Sequence, residues 1–312
     1  MKKAIFERYG DLDTIKLVDV ESPTPAAGEV LIKVAYAGLN PKDILIRKGK
    51  FKRLSGKQFP QTVGFEFSGI VEESKVDSYQ AGDKVFGMIN GWKGRCCAEL
   101  VRISANEIAP APADLSHEQL SGIPLAGQTA LQAIRDIGGL QPGQKICING
   151  ASGGVGTLAI QIAKALGGQV TTISSQKNTA FCQSLGADQT IAYDQEDVLK
   201  SQQRFDVFFD VFGNYSYQKT ARLLTANGKY VTTVPKPEIF KEQFFNLFRK
   251  KKAKMIVVKS NTADIQWLAE HLATGSIIPV VDKVFSLNEL KAAQAHIESK
   301  RAKGKVVISV QV

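Results

Sequence analysis

A strand-like apolar run, Lys145-Ile146-Cys147-Ile148-Asn149, passes directly into Gly150-Ala151-Ser152-Gly153-Gly154-Val155-Gly156. Val155, Leu158, Ile162 and Leu166 then recur at helical spacing. A strand, a glycine turn and a helix in that order make the turn that receives a dinucleotide pyrophosphate. Gly153 lets the backbone approach a phosphate, and Gly156 lets the helix pack closely on the strand. Ala151 stands where the fingerprint has its first glycine. The helix start adds unpaired N–H groups and the positive end of its dipole.

The end of the next strand decides which dinucleotide. A site for NAD has a carboxylate there to hold the ribose 2′-hydroxyl. This chain has Thr171-Thr172-Ile173-Ser174-Ser175-Gln176-Lys177. Ser175 and Lys177 are suited to a 2′-phosphate, and Tyr193, after the third strand, lines the same pocket, so the expected cofactor is NADPH.

These residues need a parallel sheet to hold them, and the second half of the chain has its pattern. From about residue 124, helical stretches alternate with short apolar strands at 145–149, 170–174, 189–192, 205–211 and 229–234, with helices at 155–166, 179–185 and 215–224. Strands apolar on both faces are covered by helices on both sides. Residues 1 to about 122 have another texture: β-like runs at 15–20, 29–37, 69–73, 84–88 and 98–103, cut by Gly and Pro turns. That texture predicts a mostly antiparallel, barrel-like domain. The expected division is 1–122, 123–262 for the dinucleotide domain, and 263–312 returning to the first domain.

Length and composition fit this plan. The chain has 312 residues, 44% hydrophobic and 22% charged, ordinary values for a folded protein of about two domains. No apolar run approaches a membrane span. Charge appears at once in Met1-Lys2-Lys3, unlike a secretory signal. Cys96, Cys97, Cys147 and Cys182 lack the spacing of a zinc knuckle and suit a reducing compartment, so the cytoplasm is expected. The net charge of +10 permits an RNA or anionic partner, but no aromatic-basic RNA signature is present. The cluster Arg249-Lys250-Lys251-Lys252 reads as the cationic end of a helix, and the phenylalanines before it (Phe244, Phe245, Phe248) as caps on a substrate pocket or the core. Membrane contact is at most peripheral.

Several motifs in order resemble the medium-chain dehydrogenase/reductase superfamily, in its zinc-independent quinone oxidoreductase branch, near the alkenal and enone reductases. They are Gly38-Leu39-Asn40-Pro41-Lys42-Asp43, Gly64-Phe65-Glu66-Phe67-Ser68-Gly69, Ala81-Gly82-Asp83-Lys84-Val85, Ala126-Gly127-Gln128-Thr129-Ala130, the turn at Ser152, Leu185-Gly186-Ala187-Asp188, and Gly304-Lys305-Val306-Val307. The resemblance covers nearly the whole chain. It implies an α/β protein in which a Rossmann doubly wound parallel sheet accompanies a mostly β GroES-like barrel.

The resemblance also implies site residues. Ser152, Gly153, Gly154 and Val155 meet the pyrophosphate. Thr129 lies near the nicotinamide ribose or its phosphate, Phe212 and Gly213 border the ribose, and Thr233 and Val234 approach the nicotinamide. Lys305 returns from the tail to the cofactor. Asn40 lies beside the nicotinamide and faces the substrate, in a pocket shared with Phe51 and Phe65, and is the expected catalytic residue, orienting the reactants or hydrogen-bonding the developing enolate oxygen. In the zinc-dependent alcohol dehydrogenases a cysteine and a histidine ligate catalytic zinc at the positions of Asn40 and Phe65. Phe65 has no lone pair to give and an amide is a poor zinc ligand, so no metal is expected. Without a Lewis acid, quinones and conjugated carbonyls are the suitable hydride acceptors. Phe51 replaces a tyrosine of some relatives and removes a phenolic proton donor.

Other groups receive plainer readings. Asp43 and Arg47, four apart, read as a helical ion pair. Glu66 reads as support for strand geometry, and His117, His271 and His296 as structural or solvated. The run Met255-Ile256-Val257-Val258 reads as an edge strand through which a homodimer pairs, as in relatives. The alternative functions are an enoyl-thioester reductase and a non-catalytic NADPH- or RNA-binding protein.

Overall fold

The computed structural model describes residues 1–310. The chain forms two compact units. The first holds Met1–Leu125, Lys259–Gly275 and the stretch from Pro279 onward; the second holds Ala126–Val258 and Ser276–Ile278.

In the second unit six strands lie parallel. Their spatial order is Gln189–Ala192, Gln169–Ser174, Lys145–Asn149, Phe205–Asp210, Leu224–Thr232, Lys252–Met255. The order reverses between Lys145–Asn149 and Phe205–Asp210, the switch point of a doubly wound sheet. Apolar side chains on successive strands build one core: Cys147, Ile173, Phe205, Phe208, Leu224, Tyr230 and Ala253 pack together. The Rossmann-type sheet expected from the alternation is therefore present.

In the first unit the eleven-residue strand Glu29–Leu39 is central. It pairs antiparallel with Glu66–Ser74, Leu100–Ser104 and Lys305–Ser309. Lys84–Met88, Ile108–Pro110 and Val281–Ser286 complete this seven-stranded sheet. Lys2–Phe6 forms a small separate sheet with Ile15–Asp19 and Gln61–Thr62. This is the expected mostly antiparallel barrel-like texture, and its two bulges, at Leu31/Ile32 and Val34/Tyr36, bend the central strand.

Five expectations are corrected. The helix expected over 215–224 is a single turn, Tyr217–Thr220, and a 3-10 turn, Ala221–Leu223; Leu224 already pairs with Phe205 in the sheet. The outer strand is Lys252–Met255, not 255–258: fully buried Ala253 fits beneath the core, while Val257 beyond it is 57% exposed. The phenylalanines before it do not cap the core, since Phe244 is 67% and Phe248 78% exposed. The basic cluster lies past the helix Pro237–Phe245, and two of its side chains are tied to the protein: Arg249 pairs with buried Glu242, and Lys251 donates to Ala221 O at 2.6 Å, while Lys250 is exposed. The fifth, the Asp43–Arg47 pair, belongs to the first unit's polar cluster described below.

All four cysteines are reduced and buried. Burial pushes each thiol above its ordinary range. No helix of the described residues is long and apolar enough to cross a membrane.

Candidate nucleotide and substrate site

In the second unit the residues singled out for a nucleotide gather at the carboxyl ends of the parallel strands, where ligands bind in open α/β sheets. After Lys145–Asn149 the chain turns through Gly150, whose φ of +78° lies in the left-handed region. The helix Gly154–Ala165 starts from Gly153 as its N-cap. The first intrahelical bond runs from Thr157 N to Gly153 O, 2.9 Å, so the N–H groups of Gly154, Val155 and Gly156 come before any helical acceptor. A Cβ on Gly156 would stand 2.2 Å from Gly150 O, so only glycine permits this packing.

Ser152 is held by a residue the sequence did not single out. Asn178 Nδ2 donates to Ser152 Oγ at 3.1 Å, which leaves the serine's own proton to point elsewhere. The only sequence signal for Asn178 was its place in the turn after Gln169–Ser174. In the same turn Ser175 is buried, and Gln176 N donates to Asp194 Oδ1 at 2.8 Å. Lys177 is exposed, and among the described residues its ammonium has no ion-pair partner. Tyr193, after the third strand, is 60% exposed.

Beyond the switch point, Asp210 organises the next loop. Its Oδ1 accepts from Asn149 Nδ2 at 2.6 Å and Gly213 N at 2.7 Å; its Oδ2 accepts from Tyr215 N and Tyr230 Oη, both at 3.0 Å. An acid closing the apolar run Phe205–Asp210 is the sequence sign of such an anchor. Burial and the Asp210 carboxylate push the Tyr230 phenol up. The loop so fixed presents Phe212, 51% exposed, and Gly213. Gly213 meets Val234: a Cβ on the glycine would be 2.4 Å from Val234 Cγ2. Thr233 Oγ1 donates to Val211 O at 2.8 Å. A cleft of about 310 Å³ opens beside Gly213 and Val234, lined also by Tyr215, Tyr230 and Glu242. Thr129 is buried in the helix Pro124–Leu131, which the other site residues do not touch in sequence.

In the first unit a polar cluster surrounds Asn40, the N-cap of the helix Pro41–Arg47. Asn40 is buried; its Nδ2 donates to Glu66 Oε1 at 2.7 Å, and its Oδ1 accepts from Lys305 Nζ at 2.6 Å. Lys305 also donates to Glu66 Oε1 at 2.7 Å and to Leu39 O at 3.0 Å, so all three ammonium protons have acceptors. Glu66 Oε2 accepts from Leu125 N at 2.7 Å. Glu66 thus does more than support a strand: it fixes Asn40 and pairs a buried lysine.

The expected Asp43–Arg47 ion pair does not form. Asp43 Oδ2 accepts from Asn40 N at 2.9 Å and Oδ1 from Gly64 N at 2.7 Å. Burial pushes its carboxyl up to about 6. Arg47, fully buried, turns to Gln294 Oε1, Gly10 O and Glu298 Oε1. Backbone donors at the helix start outcompete a partner one turn away because burial makes an unmet N–H costly.

Phe65 and Phe51 belong to one aromatic group. Phe51 lies against Trp92, ring centroids 4.9 Å apart, and Lys42 Nζ sits 3.9 Å above the Phe65 ring and 5.1 Å from that of Trp92. Lys42 and Trp92 were not singled out from the sequence. Among the described residues no three His, Cys, Asp or Glu side chains form a group that could hold a metal ion.

Comparison with known proteins adds the following. Residues 26–113 match the family model "Alcohol dehydrogenase GroES-like domain", and residues 185–308 match "Zinc-binding dehydrogenase". The chain is 32% identical over 324 residues to "NAD(P)H oxidoreductase RTN4IP1, mitochondrial" of Bos taurus, covering 90% of this chain and 82% of that protein. It is 32% identical over 323 residues to "2-methylene-furan-3-one reductase" of Solanum lycopersicum, covering 99% and 79%. Its structure is similar to that of the quinone oxidoreductase from Coxiella burnetii, with a TM-score of 0.91, 31% identity, and coverage of 100% and 99%.

Proposed function

For a chain that belongs to the medium-chain dehydrogenase/reductase superfamily, and is thus an oxidoreductase, we propose reduction of quinones or α,β-unsaturated carbonyls with NADPH and without a catalytic metal. The observation that carries this reading is the turn at Gly150–Gly156. Its open N–H groups and the positioned Ser152 hydroxyl fit a pyrophosphate, and no carboxylate closes the second strand.

Bound at these strand ends, the nicotinamide supplies hydride. Ser152, Gly153, Gly154 and Val155 hold the pyrophosphate in this reading. Ser175, Lys177 and Tyr193 hold the adenosine end, the exposed Lys177 ammonium meeting the 2′-phosphate. Thr129, Phe212, Gly213, Thr233 and Val234 serve the nicotinamide end, with Asp210 positioning their loop. Asn40, Phe51 and Phe65 face the substrate, and Lys305, expected at the cofactor, acts instead by fixing Asn40, because its three ammonium protons are all accepted within the cluster. A quinone reductase and a furanone reductase among the relatives support an electron-poor acceptor.

The donor set does not fit a zinc ion. The Asn40 oxygen already carries the Lys305 ammonium, Phe65 offers carbon only, and the neighbouring Glu66 carboxylate is engaged by Asn40, Lys305 and Leu125 N. A homodimer paired along the outer strand Lys252–Met255, and a cytoplasmic setting consistent with four free thiols, complete the proposal.

The test mixes the protein with NADPH or NADH and a panel of quinones, enals and enones, and follows loss of nicotinamide absorbance. Turnover with NADPH supports the reading. Nucleotide binding with no acceptor reduced would overturn it in favour of a binding protein, and activity lost on chelation with stoichiometric zinc would overturn the metal-free part.

A further inference from the structure

Two lysines stand beside Phe65-Glu66, and they are in opposite states. Lys305 is buried with every ammonium proton accepted. Lys42 is half-buried at the start of the helix Pro41–Arg47, two residues from Asn40. One proton of its ammonium goes to Gly91 O at 2.7 Å, and the Phe65 and Trp92 rings flank the cation at 3.9 and 5.1 Å. Three contacts seat the head group of a long, flexible side chain, and among the described residues they leave two of its N–H donors without a protein acceptor.

From this geometry we infer that Lys42 is a catalytic hydrogen-bond donor to the substrate's carbonyl oxygen, on the Phe51–Phe65–Trp92 platform, and that the preferred acceptors are flat conjugated carbonyls. The inference rests on the reading of Asn40 and Phe65 as substrate-facing. Hydride addition at the β-carbon of an enone moves the π pair onto the carbonyl oxygen, or onto a quinone oxygen in the corresponding case. That oxyanion takes an N–H from Lys42, and a proton from water completes the product. A preplaced cation acts on this developing charge more than on the neutral ground state. The aromatic rings offer stacking to a flat conjugated ligand and little to a saturated one.

The surroundings keep the group available. Burial lowers the Lys42 ammonium to about 8, with Asp43 on the same helix opposing the shift. The neighbouring strand brings Glu66, whose charge Lys305 meets, and the loop of Gly91 and Trp92 brings Lys93. Among the described residues no carboxylate forms an ion pair with Lys42, so its charge is not neutralised in place.

The experiment compares wild type with Lys42→Met, Lys42→Arg and Lys42→Cys. NADPH affinity is read by fluorescence, turnover by nicotinamide absorbance, and oxyanion stabilisation by the visible spectrum of 4-nitrophenol added to the protein with NADP⁺. Expected are an unchanged NADPH affinity, a fall in kcat/KM of about 10²-fold for Lys42→Met, and partial recovery in Lys42→Arg. Aminoethylation of Lys42→Cys should restore activity, because it rebuilds an ammonium at the same reach. Bound nitrophenol should ionise about one pH unit lower in wild type than in Lys42→Met. Equal turnover and equal nitrophenol titration in wild type and Lys42→Met would overturn the inference, as would a loss that aminoethylation does not restore. A wild type that reduces no acceptor defeats the proposed function instead; the nitrophenol titration then still decides whether the cation binds an oxyanion.

Discussion

Around Gly150–Gly156 the second unit leaves backbone N–H groups without protein acceptors, whereas around Asn40 the first unit gives nearly every polar hydrogen one. The turn invests almost no side chain: glycines shape it and a helix end polarises it. The Asn40 cluster is all side chain, with a buried amide, carboxylate and ammonium locking each other. The two regions should therefore fail differently. Damage to the turn removes a ligand, while damage to the cluster removes stability first and chemistry with it.

The sharpest break is Gly156→Val. With a Cβ 2.2 Å from Gly150 O, the helix start must move, and nucleotide affinity should drop by about 10²-fold or more with the first unit's packing intact. Fluorescence titration with NADPH checks it; near-normal affinity would mean that the turn does not hold the pyrophosphate. Next comes Lys305→Met, which strands the Glu66 carboxylate in the interior. The expected loss is about 3–5 kcal/mol in denaturant melts, partly recovered by adding Glu66→Gln. A loss under 1 kcal/mol would show that the cluster is wetter than its burial implies.

A smaller effect depends on pH. The Asp43 carboxyl is pushed from 3.8 up to about 6, so the folded state holds that proton more tightly than the unfolded chain. Its favourable contribution is full below about pH 4 and lost as pH rises through 6, about 2–3 kcal/mol in all. Thermal melts of wild type and Asp43→Asn should therefore converge or cross across this window, and parallel curves would count against the shift. The smallest expected effect is in the turn's neighbour. Lys177→Glu should weaken NADPH about 10-fold and leave NADH within about 2-fold, because only the former carries a 2′-phosphate. Equal weakening of both nucleotides would remove that assignment.

The second unit was the more legible in the sequence, for the same reason that it is the simpler device. Its strands are continuous apolar runs and its turn is spelled by glycines, both local signals. The strand Lys145–Asn149 and the start of the following helix stand where the pattern puts them. The first unit's cluster joins Asn40 to Lys305 across 265 positions, and no local pattern can announce such a partner. Asp43 looked like half of a helical pair until Gly64 N, 21 residues on, claimed it. Lys42 looked like any surface lysine because its aromatic seat comes from two other segments. The outer strand was misplaced because Met255-Ile256-Val257-Val258 is more apolar than Lys252-Ala253-Lys254, yet a single buried alanine sets the register.

Quinones and enones alkylate thiolates, so a protein that turns them over risks derivatising itself with its own reactants. Here every sulfhydryl lies under the surface and is held protonated by its apolar surroundings. Among the described residues the soft electrophile meets no exposed thiol. On the proposed reading, resistance to suicide inactivation is built into the packing rather than left to a scavenger.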